Sequence, residues 1–143
     1  MIIRKFKEKD RTQLLKLVGR ILYEIFKVKP KKVELDKGFF KKGGVLYVAE
    51  NKGKIIGSIG IEKHRDRIAR GKKMYVEKAY RGTGLAQKLY SKVELFARKA
   101  GYNKLILSTT PQMKAAIEFY QKKGFVKYRI NKRRNQIFFT KDL

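Results

Sequence analysis

The chain contains no cysteine. That excludes disulfides and any thiol nucleophile, and leaves the compartment open. Acidic residues are scarce: 12 Asp and Glu stand against 38 Lys and Arg, a formal net charge of +26. A protein this basic attracts anions such as nucleotides, nucleic acid or anionic lipid. The cations are spread along the whole chain rather than gathered in one tail, which argues against a dedicated nucleic-acid arm. There is one histidine, His64, and no metal site is expected. No long uncharged apolar run is present, so no transmembrane helix is expected. The chain opens on Ile2-Ile3 and then charge, unlike a secretory signal, and a cytoplasmic location is the expectation.

What is present suits one domain over residues 1–143, with 43% hydrophobic and 12% aromatic residues to build a core. Its organising stretch runs from Met74 to Ala100. A short apolar run, Met74-Tyr75-Val76, leads into Arg81-Gly82-Thr83-Gly84-Leu85-Ala86. Leu85, Leu89, Val93, Phe96 and Ala100 then recur at the spacing of one helix face, and Gly101 supplies a left-handed stop. Strand, glycine turn and helix follow in that order. The first amides of a helix have no partner inside it, and the helix dipole adds positive potential there. Gly82 and Gly84 remove side chains that would hold a ligand away, which suits the turn to a pyrophosphate or similar anion. A dinucleotide fingerprint would need a third glycine where Gln87 stands, and a P-loop would need Lys-Ser/Thr where Leu85-Ala86 follows Gly84.

The remaining elements read as follows. Ile2 to Phe6 is a strand. Asp10 caps a helix from about Arg11 to Lys27 that carries Leu14, Val18, Ile21 and Ile25 on its core face. Val33 to Phe40 reads as a short second helix. Val45 to Glu50 and Ile55 to Glu62 are strands joined by Asn51-Lys52-Gly53-Lys54, which has hairpin chemistry. Gly57 and Gly60 mark a bulge or a close approach in the second of them. His64 to Gly71 is read as a charged connection, and Lys72 to Val76 as the fourth strand. Lys104 to Ser108 is a fifth strand. Thr110 and Pro111 open a helix, as cap and first helical residue, and Gly124 ends it. Phe125 to Ile130 and Gln136 to Thr140 are the last strands. The fold class expected is α/β (α+β): a mixed, mostly antiparallel twisted sheet of about seven strands with helices on both faces.

Two strings carry a family resemblance. Arg81-Gly82-Thr83-Gly84-Leu85-Ala86 resembles the acetyl-CoA motif, Q/R-x-x-G-x-G/A, of the GNAT N-acetyltransferase superfamily. The segment with Ala116, Tyr120 and Gly124-Phe125 resembles that family's second signature, A-x-x-x-Y-x-x-x-G-F. The order and spacing match over about residues 45 to 130. Many members have Asn where Met113 stands, at a polar contact to the cofactor arm or acceptor, and Met is also common there in a branch of the family.

The resemblance implies an acetyl-CoA-dependent acyltransferase acting on a primary amine. Backbone groups of Met74, Tyr75 and Val76 would pair with the pantetheine arm, and the Val76 amide would polarise the acetyl carbonyl. Amides from Gly82 through Gln87 would hold the pyrophosphate, with Arg81 shaping the turn and Met113 and Ala116 beside the cofactor. The amine would attack the thioester directly. A lysine-like amine with a pKa of ~10.4 is neutral only about once in 10³ molecules at pH 7, so a base is needed. Glu62 and Glu77 are the candidates nearest the cleft in sequence, with His64 behind them. Tyr120, by its matched position, would give a proton to the departing thiolate.

The positive field should favour an anionic acceptor, an acidic peptide or a ribonucleoprotein over a polyamine. A competing reading is a nucleic-acid-binding protein on the same fold, with Lys132-Arg133-Arg134 as its patch. A purely structural subunit is a third. The chain is expected to act as a monomer or homodimer.

Overall fold

The computed structural model describes residues 1–30 and 32–143. The elements are β1 (Ile2–Lys5), α1 (Arg11–Phe26), β2 (Val45–Asn51), β3 (Lys54–Arg65), β4 (Ile68–Val76), α2 (Leu85–Lys99), β5 (Lys104–Thr109), α3 (Lys114–Lys122), β6 (Val126–Asn131) and β7 (Gln136–Asp142). The strands form one sheet in the order β1-β2-β3-β4-β5-β7-β6. Among the described residues only β4 and β5 pair in parallel, and α2 provides their crossover. The mixed seven-stranded sheet expected from the sequence is therefore observed.

Alternation along the strands builds two cores, one on each face. Leu46, Val48 and Ile55 pack with Leu14, Leu17, Val18 and Ile21 of α1 and with Phe39. Val45, Ala49, Ile56 and Ile59 face the other way, toward Leu85, Leu89 and Val93 of α2 and Tyr120 of α3. On α2 the buried stripe is Leu85, Leu89, Tyr90, Val93 and Ala97, whereas Ala100 is exposed. No helix among the described residues is long and apolar enough to cross a membrane.

Four local expectations are corrected. Asp10 does not cap α1 with its side chain. Its buried carboxylate instead accepts from Arg4 Nη1 and Nη2, at 2.7 and 2.9 Å, and from the Lys7 amide at 2.8 Å. The Arg4 guanidinium outweighs burial there and holds the Asp10 carboxyl below its ordinary range. The helix placed at Val33 to Phe40 reduces to one 3-10 turn over Lys37–Phe40, with Phe39 buried and Phe40 half exposed. The segment His64 to Gly71 is a hairpin, not a connection. Arg65 pairs with Ile68, and Asp66 takes a left-handed φ of 44° in the turn. Finally, α3 starts at Lys114 rather than Pro111. Residues 110–113 form a turn closed by Met113 N–H to Thr110 O at 3.0 Å, and proline's fixed φ suits the second position of such a turn.

Two features in β3 and β4 shape the cleft. Gly60 lies under the Phe39 ring, where an added Cβ would come within 2.6 Å of a ring carbon. The β3–β4 register then slips between Ser58 and Gly60, because β4 carries an extra residue. Lys73 stands there at φ 58°, and its carbonyl accepts from the Ser58 hydroxyl at 2.6 Å. Gly60→Ala is expected to destabilise the fold by about 1–3 kcal/mol through overpacking against Phe39. Urea unfolding checks this, and an unchanged midpoint would show that Phe39 moves aside freely.

Candidate active site: a splayed strand pair and a glycine turn

The strands β4 and β5 pair only at their beginnings, at Ile68–Lys104, Ala69–Leu105 and Arg70–Ile106. Beyond Arg70 they part. From Leu107 to Thr109, β5 is paired on its other side with β7 alone. The bulge at Lys73 lies three residues beyond Arg70, and bulges raise local twist. On their β5 side Met74, Tyr75 and Val76 therefore border a gap, while Tyr75 and Val76 stay paired with β3. On the far rim β5 ends at Thr109, and the buried hydroxyls of Thr109 and Thr110 have no protein partner.

At the end of β4 the chain turns into α2. Gly82 and Gly84 have φ of 77° and 87°, in the left-handed region, and a Cβ at either would meet no atom within 4 Å. Both glycines therefore face open space and serve backbone conformation, not internal packing. Among the described residues, no amide from Gly82 through Gln87 donates to a main-chain carbonyl outside its own helix or strand. The first in α2 to do so is Lys88, to Gly84 O at 3.1 Å. Six consecutive donors thus lie at the positive end of a 15-residue helix.

Arg81 fixes this turn. Its Nε donates to Val76 O at 3.0 Å, and its two Nη groups grip the Glu24 carboxylate of α1 at 2.6 and 3.0 Å. Arg81 thereby ties the strand end, the turn and the end of α1 together, and its hydrogen bond holds the Glu24 carboxyl below its ordinary range.

A cavity of about 430 Å³ joins the gap to the turn. Ten of the twelve cofactor-contact residues expected from sequence line it: Met74, Tyr75, Val76, Arg81, Gly82, Gly84, Ala86, Gln87, Met113 and Ala116. Thr83 and Leu85 do not. The Thr83 hydroxyl donates to Tyr80 O within the turn, and Leu85 is a buried core residue. Sequence reasoning missed Ile21 and Ile25, which it assigned to the core stripe of α1, and also Tyr80, Gln112 and Phe119. The α1 stripe simply extends past the sheet to wall the cavity.

The residues read as acid and base fall elsewhere. Tyr120 packs against Phe119, Phe125 and Phe139 with ring centroids 6.0, 5.8 and 6.2 Å away. It borders a small interior void with Met74 and Lys72, directly beneath the gap. Burial, then the nearby Tyr75 hydroxyl, push its phenol well above the ordinary tyrosine range. Glu62 does not line the large cavity. It pairs with Lys72 Nζ at 2.9 Å, and the same ammonium reaches Asp36 at 2.8 Å. Lys73 Nζ reaches Asp36 as well, at 2.9 Å. Burial opposes ionisation of Asp36, but these two lysines outweigh it and keep the carboxyl below its ordinary range. Asp36, not singled out from sequence, is thus the hub of the cluster. Glu77 lies past the strand end, paired with Arg20 at 2.8 Å, and does not line the cavity. His64 is exposed on the β3–β4 hairpin, its pKa lowered by partial burial and by Arg70 and Arg65.

Comparison with known proteins fits this geometry. The chain is 33% identical to human N-acetyltransferase 8B over 90 residues, which is 59% of this chain and 40% of that protein. It is 35% identical to the uncharacterized N-acetyltransferase YjgM of Escherichia coli K12 over 95 residues, 64% of this chain and 57% of that one. The chain thus spans between two fifths and three fifths of the length of these relatives. Among solved structures, a GNAT-family acetyltransferase from Staphylococcus aureus Mu50 superimposes with a TM-score of 0.86 at 22% identity, covering 99% of this chain and 98% of that one. The Brucella melitensis ribosomal-protein-alanine N-acetyltransferase gives 0.81 at 19% identity over the whole of both chains. At these identities the two structures speak for the fold alone. The description "Acetyltransferase (GNAT) domain" matches residues 42–127, from the approach to β2 into β6. With well over half its length matched, the chain belongs to the GNAT acetyltransferase family.

Proposed function

We propose that the protein is an N-acetyltransferase that moves an acetyl group from acetyl-CoA to a primary amine. The observation that carries this is the row of six amides without a main-chain acceptor, Gly82 to Gln87, at the head of α2, four of whose residues share one cavity with the stretch of β4 that has no partner on its β5 side. The amides suit a diphosphate, and an extended arm suits a strand edge with no neighbour. Acetyl-CoA supplies an activated thioester: as the amine's C–N bond forms the C–S bond breaks, leaving a thiolate that needs a proton.

The chain's own groups serve that exchange. Tyr120 borders the same small void as Met74, and its hydroxyl, kept protonated by burial, would give a proton to the departing sulfur. For the amine's proton, Glu62 is better placed than Glu77. Glu62 is linked through Lys72 to the void that Tyr120 borders, whereas Glu77 is tied to Arg20 at the surface. A Glu62→Gln enzyme with an unaltered pH–rate profile would remove Glu62 from this role.

Acetyl-CoA turnover against a panel of amino acids, peptide N-termini, polyamines and anionic amines tests the reading. Turnover with at least one acceptor is expected, with anionic acceptors ahead of polyamines at low salt because the chain carries +26. A protein that neither turns over nor hydrolyses acetyl-CoA with any of them contradicts it.

A further inference from the structure

The outermost strand, β6, is exposed along almost its whole length. It forms one edge of the sheet, and every residue from Val126 to Ile130 is exposed. From Phe119 to Thr140 the sequence holds seven lysines and arginines and no acid. None of those seven takes part in an ion pair among the described residues, while ten of the chain's twelve acids do. Among the described residues only ten of the 38 cations are paired, so bare positive charge occurs elsewhere too, and what sets this segment apart is its density of cations with no acid among them. Charge on an edge strand also guards against sheet-to-sheet association. That purpose does not account for the aromatic cluster beside it. The Tyr128 ring is 49% exposed and lies 6.1 Å from Phe138, and the Arg129 guanidinium sits 4.6 Å over the same Phe138 ring.

Bare cations flanking an open ring suit one kind of ligand. Phosphates satisfy the cations, and a base with a free face stacks on the ring. A duplex keeps its bases stacked on one another and offers no such face. An acidic peptide answers the charge but leaves the half-exposed tyrosine without a use. We propose that the outer surface of the β6–β7 hairpin binds single-stranded nucleic acid. The turn of this hairpin touches the loop before α3, where Asn135 Nδ2 donates to Gln112 Oε1 at 3.1 Å, and Gln112 lines the large cavity. A bound strand therefore lies beside the mouth of the cavity without occupying it. This surface stands or falls independently of acetyl transfer.

The test is fluorescence anisotropy with a labelled oligo(U) RNA of about 20 nucleotides, long enough to span several phosphate contacts, over a series of salt concentrations. The logarithm of the affinity should fall linearly with the logarithm of salt. Lys132→Gln/Arg133→Gln/Arg134→Gln should flatten that slope by about 2, since each phosphate contact on a single strand contributes ~0.7. Tyr128→Ala should weaken binding about tenfold at fixed salt and leave the slope alone. A control triple, Lys16→Gln/Lys52→Gln/Lys54→Gln, removes the same charge from exposed sites elsewhere and should change neither. In the wild-type protein, photo-crosslinking with 4-thiouridine should map to residues 126–138, which requires no variant to fold. Equal losses in the control triple would mean a diffuse field and overturn the proposal. So would equal binding of polyglutamate, tighter binding of duplex RNA, or crosslinks that map elsewhere.

Discussion

Tyr120→Phe is expected to lower turnover about a hundredfold, at the low end of what a positioned proton donor contributes, while acetyl-CoA affinity stays within about twofold. The substitution keeps the ring that packs between Phe119, Phe125 and Phe139, so the core is preserved and only the hydroxyl is lost. The pH dependence provides a second signature. A phenol with an ordinary pKa of ~10 would begin to lose its proton near pH 9. Burial raises the folded value above that, so the donor form persists and wild-type turnover should not decline through pH 10 on this account. Steady-state kinetics with a fixed acceptor separates the two possibilities. Unchanged turnover in Tyr120→Phe would leave the residue as a core tyrosine and require another proton source.

Gly84→Asp is expected to weaken acetyl-CoA binding at least about tenfold, through the charge of the new side chain. Position 84 has φ +87°, a conformation that costs an L-residue roughly 1–2 kcal/mol, a penalty on the fold that is the same with and without ligand. The new carboxylate would stand among the amides meant for a diphosphate, and like charge at short range costs binding a comparable amount. No neighbour lies within 4 Å of the added Cβ, so the fold should survive with only the backbone penalty. Calorimetric titration alongside thermal unfolding distinguishes a lost site from a lost fold. Full affinity in a folded Gly84→Asp protein would mean that the anion sits elsewhere.

Some of this architecture is legible in the sequence alone, and the reasons are physical. The turn at Gly82 and Gly84 was legible because only glycine takes a φ near +80° without strain, and the i, i+4 apolar spacing after it left one helix as the answer. The β2–β3 turn was legible from Asn51 to Lys54, although the positive φ falls on Lys52 and Gly53 and Asn51 ends the strand. The β3–β4 hairpin was not. Its tip, from Lys63 to Arg67, extends past the helical layers into solvent, so its strands lack the apolar alternation that marks a half-buried sheet. Thr110-Pro111 misled because proline fits a turn and a helix start equally well. In the site, the backbone contributors were accessible from local sequence. The clamps were not: Arg81 meets Glu24 across 57 positions and Lys72 meets Asp36 across 36. Such pairings are set by how α1 and the 37–40 turn lie against β4, and no local pattern encodes them.

The account rests on main-chain donors at the head of α2. Amide chemical shifts in a ¹⁵N-labelled sample, followed as acetyl-CoA is added at moderate ionic strength, test it most directly. The largest displacements are expected at Gly82, Thr83, Gly84, Leu85, Ala86 and Gln87, with a second group at Met74 to Val76. Displacements confined to the basic β6–β7 hairpin, or none at saturating coenzyme, would contradict it.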